Sequence, residues 1–218
     1  MSKIKLVVFD WNGTVLNDEW VAVKAFERIL HKVDHPKKEN ALELHRQHFQ
    51  IPVKNMYSSL GFSAQGAGVV ADKIWETVYE KEIDQAELQP GIAEALITCT
   101  QLDIATAILS NYTVPSITNQ MRKRKIHFDY VLANDSNDEA YNSGKLHRME
   151  KFVADGVFEA NEIIIIGDSP EEYKIAESVG AQGYFLTNGW VPERRVPEIP
   201  QKYKLHSSEL SALIKTLA

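Results

Sequence analysis

The segment Glu162–Asp168, EIIIIGD, constrains the fold more than any other stretch of the sequence. Its four consecutive isoleucines lack the apolar–polar alternation of a strand that has one face in water. Such a run is typical of a strand buried on both faces of a parallel sheet. Parallel strands need crossover helices to connect them, so this segment predicts an α/β fold.

Four further apolar runs, rich in β-branched residues, also predict strands. Helical patterns separate the last four of the five runs, as in repeated βαβ units. We therefore predict a Rossmann-like, doubly wound parallel sheet. The four runs are Ile4–Phe9, Ile104–Leu109, Tyr130–Ala133 and Gly183–Leu186.

The segment between the first and second runs is far too long for a simple crossover. From about Leu16 to Leu88 its apolar residues recur near helical spacing, and Pro36, Pro52 and the stretch Gly61–Gly68 divide it into several helices. We predict an α-helical cap domain inserted after the first strand. The predicted domains are a core of residues 1–15 and 89–218 and a cap of residues 16–88.

Composition excludes several classes of function. The chain has 218 residues with 44% hydrophobic content and a formal net charge of -6, so an electropositive nucleic-acid surface is not expected. Cys99 is the only cysteine, which excludes an internal disulfide, and we expect it to be buried. No signal-peptide pattern and no membrane-spanning apolar stretch occur, so we expect a cytoplasmic protein without membrane contact.

Polar residues follow several predicted strands, where open α/β sheets bind their ligands. The first strand ends at Asp10, the second at Ser110 and Asn111, and the fourth at Asp168. Lys145 lies between the third and fourth strands. We therefore expect two carboxylates, a hydroxyl and an ammonium group to meet in one crevice.

Four motifs, in this order along the chain, resemble those of the haloacid dehalogenase-like hydrolases. VVFDWNGTV resembles the first motif, ILSNY the second, Lys145 in NSGKLH the third and IIIIGDSPEEYKIA the fourth. The position of the insert and the segment ELQPGIAEAL are similar to the helical cap of phosphoglycolate-phosphatase-like members. Leu146 departs from the pattern, because a proline commonly follows the motif lysine.

The resemblance implies a magnesium-dependent phosphatase acting on a small phosphorylated substrate. Its nucleophile attacks phosphorus and forms an aspartyl phosphate that water hydrolyses. The implied nucleophile is Asp10, and the implied Mg²⁺ ligands are Asp10, Asp168, the main-chain carbonyl of Asn12 and Glu172. The implied substrate-binding residues are Ser110, Asn111, Thr14 and Lys145, with Lys145 also counted among the catalytic residues.

Several of these residues also have purely structural interpretations. Ser110 could cap the following helix, whose first turns contain Pro115, and Lys145 could be a surface lysine. Ser169 and Glu172 have the spacing of a capping box, so Glu172 could cap its helix or reach the metal only through water. We expect His45 and His48 to be surface residues, because no third metal ligand accompanies them.

Asn12 occupies the position where most phosphatases of this family carry an acid/base aspartate. An amide cannot cycle a proton, and losing such assistance costs about 10²–10⁴ in rate. One interpretation is a phosphatase for acyl or aryl phosphates, whose leaving groups need no protonation. The others are a phosphonoacetaldehyde-hydrolase-like enzyme that uses Lys54, and a low-turnover protein that binds phosphate and metal for regulation.

Substrate identity depends on cap residues that one sequence does not reveal. Lys54 and Tyr57 are candidate contacts in the predicted cap. The sequence leaves the oligomeric state open.

Overall fold

The structure is a computed structural model, and it describes residues 3–50, 53–62, 67–135 and 144–218. Six strands form one sheet, and the two short strands β2 and β3 pair separately. The strands in the described ranges are β1 Leu6–Phe9, β2 Leu16–Asn17, β3 Glu87–Leu88, β4 Ala105–Thr113, β5 Tyr130–Asn134, β6 Ile163–Gly167, β7 Gln182–Leu186 and β8 Lys204–Leu205.

The main sheet has the order β5-β4-β1-β6-β7-β8, and its neighbouring strands are parallel. The predicted α/β fold with a doubly wound parallel sheet is confirmed, and all five predicted strands are present. The strand β8 was not predicted, because two residues are too few to show a pattern. Its hydrogen bond from the Thr187 amide to the Leu205 carbonyl, 3.0 Å, extends the sheet by one strand.

Nine helices lie in the described ranges, and several of them pack on the sheet. They are α1 Glu19–Lys32, α2 Ala41–His48, α3 Val53–Ser59, α4 Ala67–Glu82, α5 Ile92–Gln101, α6 Val114–Arg124, α7 Lys145–Ala154, α8 Pro170–Val179 and α9 Leu210–Leu217.

The central strands β1 and β6 are buried on both faces, which explains the absence of alternation in their sequences. Leu6, Val8, Ile163 and Ile165 pack in one apolar cluster with side chains of α7 and α8. Phe9 contacts the ring of Phe128, which lies outside that cluster. Because successive strand residues point to opposite faces, both faces need apolar side chains.

The start of α6 differs from the prediction. Its N-cap is Thr113, whose side chain accepts a hydrogen bond from the Ser116 amide at 3.3 Å. The alternative in which Ser110 caps this helix is wrong, because β4 continues through Ser110 to Thr113. The last turn of the helix carries three basic residues, Arg122–Arg124, whose charge complements the negative end of the helix dipole, and Lys125 follows in the left-handed region.

The chain divides into two compact units, residues 1–17 with 88–218, and residues 18–87. The second unit contains α1 to α4, and an ion pair between Arg46 and Glu19 at 2.6 Å joins α2 to α1 within it. The role of this unit as a cap stays a prediction.

The expectation of a surface position for His45 is wrong. Its side chain is 1% exposed and lies against the rings of Phe26 and Phe49. The amphipathic pattern of α2 places position 45 on the inner face beside Leu44. Tyr57 is buried in the same unit, and the side chain of Lys54 lies outside the described part of the chain.

Cys99 is buried on α5, as predicted. Burial raises the pKa of its thiol to about 12, so it is a packing residue rather than a reactive group. Among the helices of the described residues, none is both long enough and apolar enough to span a bilayer.

Candidate active site

Asp10 lies immediately after β1, at the edge where the parallel strands end. Its backbone amide donates to the Ile166 carbonyl at 2.9 Å, which extends the β1–β6 pairing by one step. The residue is 7% exposed. The hydrogen bonds of the sheet therefore place this carboxylate at the centre of the predicted ligand edge.

Lys145 begins α7 and reaches the same position. Its Nζ atom lies 2.8 Å from Asp10 Oδ1 and 2.5 Å from Glu172 Oε1, and 3.9 Å from Glu171 Oε2. The side chain is almost fully buried. The alternative of a surface lysine is therefore wrong. The ammonium group connects Asp10, just after β1, to Glu172 in the first turn of α8.

Glu172 is fully buried and holds Lys145. Its second oxygen accepts a hydrogen bond from Ser169 Oγ at 2.7 Å, while the Ser169 hydroxyl oxygen accepts from the Glu171 amide at 3.1 Å. Ser169 caps α8 as predicted, but Glu172 binds its hydroxyl rather than completing a capping box with its backbone. Glu172 thus orients the ammonium group, and metal ligation by it stays a prediction.

Asp168 follows β6 and is fixed through both carboxylate oxygens. Thr14 Oγ1 donates to Oδ1 at 3.3 Å, and the Trp190 amide donates to Oδ2 at 2.5 Å. Thr14 is fully buried, so the structure places it against Asp168, and its predicted substrate contact stays a prediction. The sequence reasoning missed Trp190, although it directly follows the Thr187–Gly189 segment that leaves β7.

Glycines make room for the Asp168 carboxylate. Gly13 has φ +76°, and a Cβ atom there would lie 2.3 Å from Asp168 Oδ2. A Cβ atom on Gly189 would lie 2.1 Å from Asp168 Cβ. Both positions require glycine, because backbone and carboxylate approach too closely for any side chain.

Burial and mutual repulsion shift the titration of the carboxylates. Burial raises the pKa of Asp10 to about 7, although attraction to Lys145 opposes this. Burial and the charges of Asp10 and Glu172 raise the pKa of Asp168. Burial alone would lower the pKa of Lys145, but attraction to Asp10, Glu172 and Glu171 raises it, so the ammonium stays charged.

The two aspartates fit a divalent cation of the magnesium type. They are buried carboxylates that repel each other, which a cation relieves, and Mg²⁺ prefers hard oxygen ligands. No group of three or more His, Cys, Asp or Glu residues poised for a metal occurs among the described residues. Ligation of Mg²⁺ by Asp10 and Asp168, completed by the main-chain carbonyl of Asn12 and by retained waters, therefore stays a prediction.

The end of β4 presents neutral polar groups instead. Ser110 is buried, and its Oγ accepts from the Tyr112 amide at 3.1 Å, so its proton remains available for a ligand oxygen. Asn111 Nδ2 points towards Glu171 Oε2 at 3.5 Å. The Arg148 guanidinium and the Asn134 amide bind this segment from the other side.

The loop after Asp10 is anchored in the core. Trp11 is fully buried and donates through Nε1 to Gln120 Oε1 at 2.8 Å. The Gly13 carbonyl accepts from Gln89 Nε2 at 3.1 Å. Asn12 lies between these anchors with a half-buried side chain, so residue 12 is held close to Asp10 in the loop that follows β1.

Residues 7–184 match the family model of the haloacid dehalogenase-like hydrolases. The chain belongs to this family. The predicted resemblance is thereby confirmed, and so is the prediction of a hydrolase. A search of curated proteins gave no match.

Several solved structures share the fold. A family hydrolase from Streptococcus pneumoniae is 19% identical with TM-score 0.81, covering 99% of this chain and 100% of that one. A predicted phosphatase from Clostridium acetobutylicum is 18% identical with TM-score 0.82, covering 99% and 100%. A predicted phosphoglycolate phosphatase from Haemophilus somnus is 14% identical with TM-score 0.76, covering 98% and 99%.

Proposed function

We propose that this hydrolase is a magnesium-dependent phosphatase that cleaves a small phosphorylated metabolite through an aspartyl phosphate on Asp10. The observation that carries the proposal is the Asp10 carboxylate, buried at the end of β1 and bound by Lys145 Nζ at 2.8 Å. Proteins of similar fold include predicted phosphatases, which supports this substrate class.

Each residue of the site has a defined task in this reaction. The Asp10 carboxylate attacks phosphorus, the bond to the leaving oxygen breaks, and water then cleaves the aspartyl phosphate to release inorganic phosphate. Lys145 offsets the repulsion between Asp10 and a substrate dianion, and Glu172 holds Lys145 in place. Asp10 and Asp168 would hold Mg²⁺, which when bound would supply positive charge to offset that of the phosphoryl oxygens. Ser110 and Asn111 donate hydrogen bonds to those oxygens.

Asn12 sets the kind of leaving group that this site handles well. An amide cannot protonate a departing alkoxide, which costs about 10²–10⁴ in rate. Acyl and aryl phosphates release groups that are stable without a proton, so they are the preferred substrate class. Metal ligation is unaffected, because the main-chain carbonyl of residue 12 remains.

The test measures magnesium-dependent phosphate release from an aryl phosphate and an alkyl phosphate. We expect wild type to favour the aryl phosphate and Asp10→Asn to lose turnover. We expect Asn12→Asp to raise kcat for the alkyl phosphate by about 10²-fold or more, because it restores the general acid. The exposed Asp103→Asn is the control, since Asn tolerates its left-handed backbone, with φ 55°.

Three outcomes would contradict the proposal. Full turnover in Asp10→Asn would show that Asp10 is not the nucleophile. Loss of turnover in Lys54→Ala, together with unchanged turnover in Asn12→Asp, would favour a phosphonoacetaldehyde-hydrolase-like reaction. Phosphate and metal binding without turnover in any variant would indicate a regulatory binding protein. Mass spectrometry of the purified protein must show that Asn12 is intact, because Asn-Gly sequences deamidate.

A further inference from the structure

The pairing register of β4 with β5 shifts at the residues predicted to bind phosphate, a bulge-like irregularity that we call the β4 bulge. Leu109 pairs with Leu132, but the next pair is Thr113 with Asn134. Three β4 residues, Ser110–Tyr112, therefore oppose one β5 residue. Such bulges occur next to active sites, where they redirect side chains at the expense of regular ladder hydrogen bonds.

Side chains supply hydrogen bonds to the bulged backbone. Asn134 Nδ2 donates to the Asn111 carbonyl at 2.7 Å, and Arg148 Nη2 donates to the Ser110 carbonyl at 2.9 Å. Arg148 Nη1 also donates to Asn134 Oδ1 at 2.6 Å, so the two side chains support each other. The planar guanidinium fork is suited to binding several fixed acceptors at once.

The position of Arg148 follows from the helix that carries Lys145. The two residues are three apart on α7 and so lie on the same face. Lys145 reaches Asp10 at the end of β1, and Arg148 reaches the ends of β4 and β5. One helix face thus contacts three strand ends, those of β1, β4 and β5.

Arg148 also determines which way the Asn111 amide faces. A guanidinium group only donates, so the Asn111 atom 3.1 Å from Arg148 Nη2 must be the carbonyl oxygen Oδ1. The amide nitrogen then faces the opposite way, towards Glu171 Oε2 at 3.5 Å. That carboxylate oxygen is 3.9 Å from Lys145 Nζ, so the Asn111 donor points to the catalytic side.

We propose that Arg148 is a positioning residue of the phosphate site, which holds the β4 bulge and turns the Asn111 amide so that its nitrogen donates to a substrate phosphate oxygen. This inference rests on the proposed phosphatase function. Arg148 acts through Asn111 and Ser110 and does not touch the phosphate itself. Its loss weakens phosphate binding and leaves the Asp10 chemistry largely intact.

The experiment is a double-mutant cycle between Arg148→Met and Asn111→Ala, read out as KM and kcat for an aryl phosphate. Arg148→Met is expected to raise KM about tenfold with kcat within about threefold of wild type, since it loses hydrogen bonds that orient an anion donor. In the Asn111→Ala background the same substitution is expected to raise KM by clearly less than tenfold, because the part of its effect that passes through Asn111 is already lost and only the part that passes through Ser110 remains.

Further variants separate positioning from charge and from folding. Arg148→Lys keeps the positive charge but lacks the planar guanidinium fork. Its KM is expected to be within about threefold of the KM of Arg148→Met. Lys151→Met removes an exposed positive charge from the same helix and is expected to leave KM unchanged. Asn111→Asp keeps the Oδ1 acceptor but removes the donor, and is expected to raise KM at least as much as Arg148→Met.

A direct titration with inorganic phosphate in magnesium buffer, followed by ³¹P NMR, separates the two proposals. Tight binding to wild type and about tenfold weaker binding to Arg148→Met support the inference even without turnover, in which case the proposed function alone fails. Equal binding by wild type and Arg148→Met, full additivity in the cycle, or wild-type KM in Arg148→Lys would overturn it. Absence of phosphate binding by wild type would also overturn it.

Discussion

The candidate site lies at two pairs of strand ends that differ in chemistry, a charged end at β1 and β6 and a neutral end at β4 and β5. At β1 and β6 the groups are charged: Asp10 and Asp168 are buried carboxylates, and Lys145 pairs with Asp10. At β4 and β5 they are mostly neutral: Ser110 and Asn134 offer a hydroxyl and an amide. Both ends lie at the carboxyl edge of one sheet.

In the proposed reaction, this difference would separate the chemical step from the binding of the substrate. A nucleophile and metal ligands need fixed charge, which a buried site sustains only if every charge has a partner. Phosphate recognition needs donors of fixed direction, which amides and hydroxyls provide without a further charge. We therefore expect substitutions at the charged end to change kcat and stability, and substitutions at the neutral end to change KM.

Removing the ammonium group from the charged end should have the largest effect on stability. Lys145→Met leaves Asp10 and Glu172 close together without a cation, so the free energy of unfolding of the metal-free protein should fall by about 3–5 kcal/mol. Urea unfolding at pH 8 measures this. Lys151→Met, on the exposed face of the same helix, should stay within about 0.5 kcal/mol of wild type. Equal stability of the two variants would break the comparison.

Filling the space beside Asp168 should have a smaller effect. Gly13→Ala introduces a left-handed alanine, which costs about 1–2 kcal/mol, and a close contact with Asp168 Oδ2, which costs about 1–3 kcal/mol more. Gly156 has φ +73°, and a Cβ atom there would meet no heavy atom within 4 Å, so Gly156→Ala isolates the backbone cost. Gly13→Ala and Gly156→Ala are compared in their free energy of unfolding and in their kcat. The difference between the two variants measures the effect of the contact with Asp168 Oδ2. Identical values would show that the Asp168 carboxylate moves aside freely.

Truncating the neutral end should have the smallest effect on stability and a selective effect on binding. Asn134→Ala removes the donor to the Asn111 carbonyl, and a lost buried hydrogen bond costs about 1–3 kcal/mol. We expect KM for an aryl phosphate to rise and kcat to change little. Asn119 is exposed and accepts from Arg122, so Asn119→Ala is the matched control. A fall in kcat with constant KM would place Asn134 in the chemical step.

The local sequence predicted both the strands and the candidate residues, because ligands of open α/β sheets bind at the carboxyl ends of the strands. The isoleucine run of β6 has no alternation, so it predicted a strand buried on both faces and placed Asp168 at its end. The same rule placed Asp10 and Ser110. The pattern could not predict that the main sheet gains β8, because two residues show no period.

The tertiary structure alone decided what each polar group binds. Sequence spacing allowed Glu172 to cap its helix or ligate metal, yet it binds Lys145, 27 residues away in the chain. No spacing rule connects Arg148 with the β4 bulge or Trp190 with Asp168, because these contacts arise when separate βα units pack side by side. The sequence by itself determined the fold and the line of groups at its edge. The packing of α7 and α8 against the strand ends decided which of those groups are buried together, because long-range contacts alone set desolvation and charge pairing.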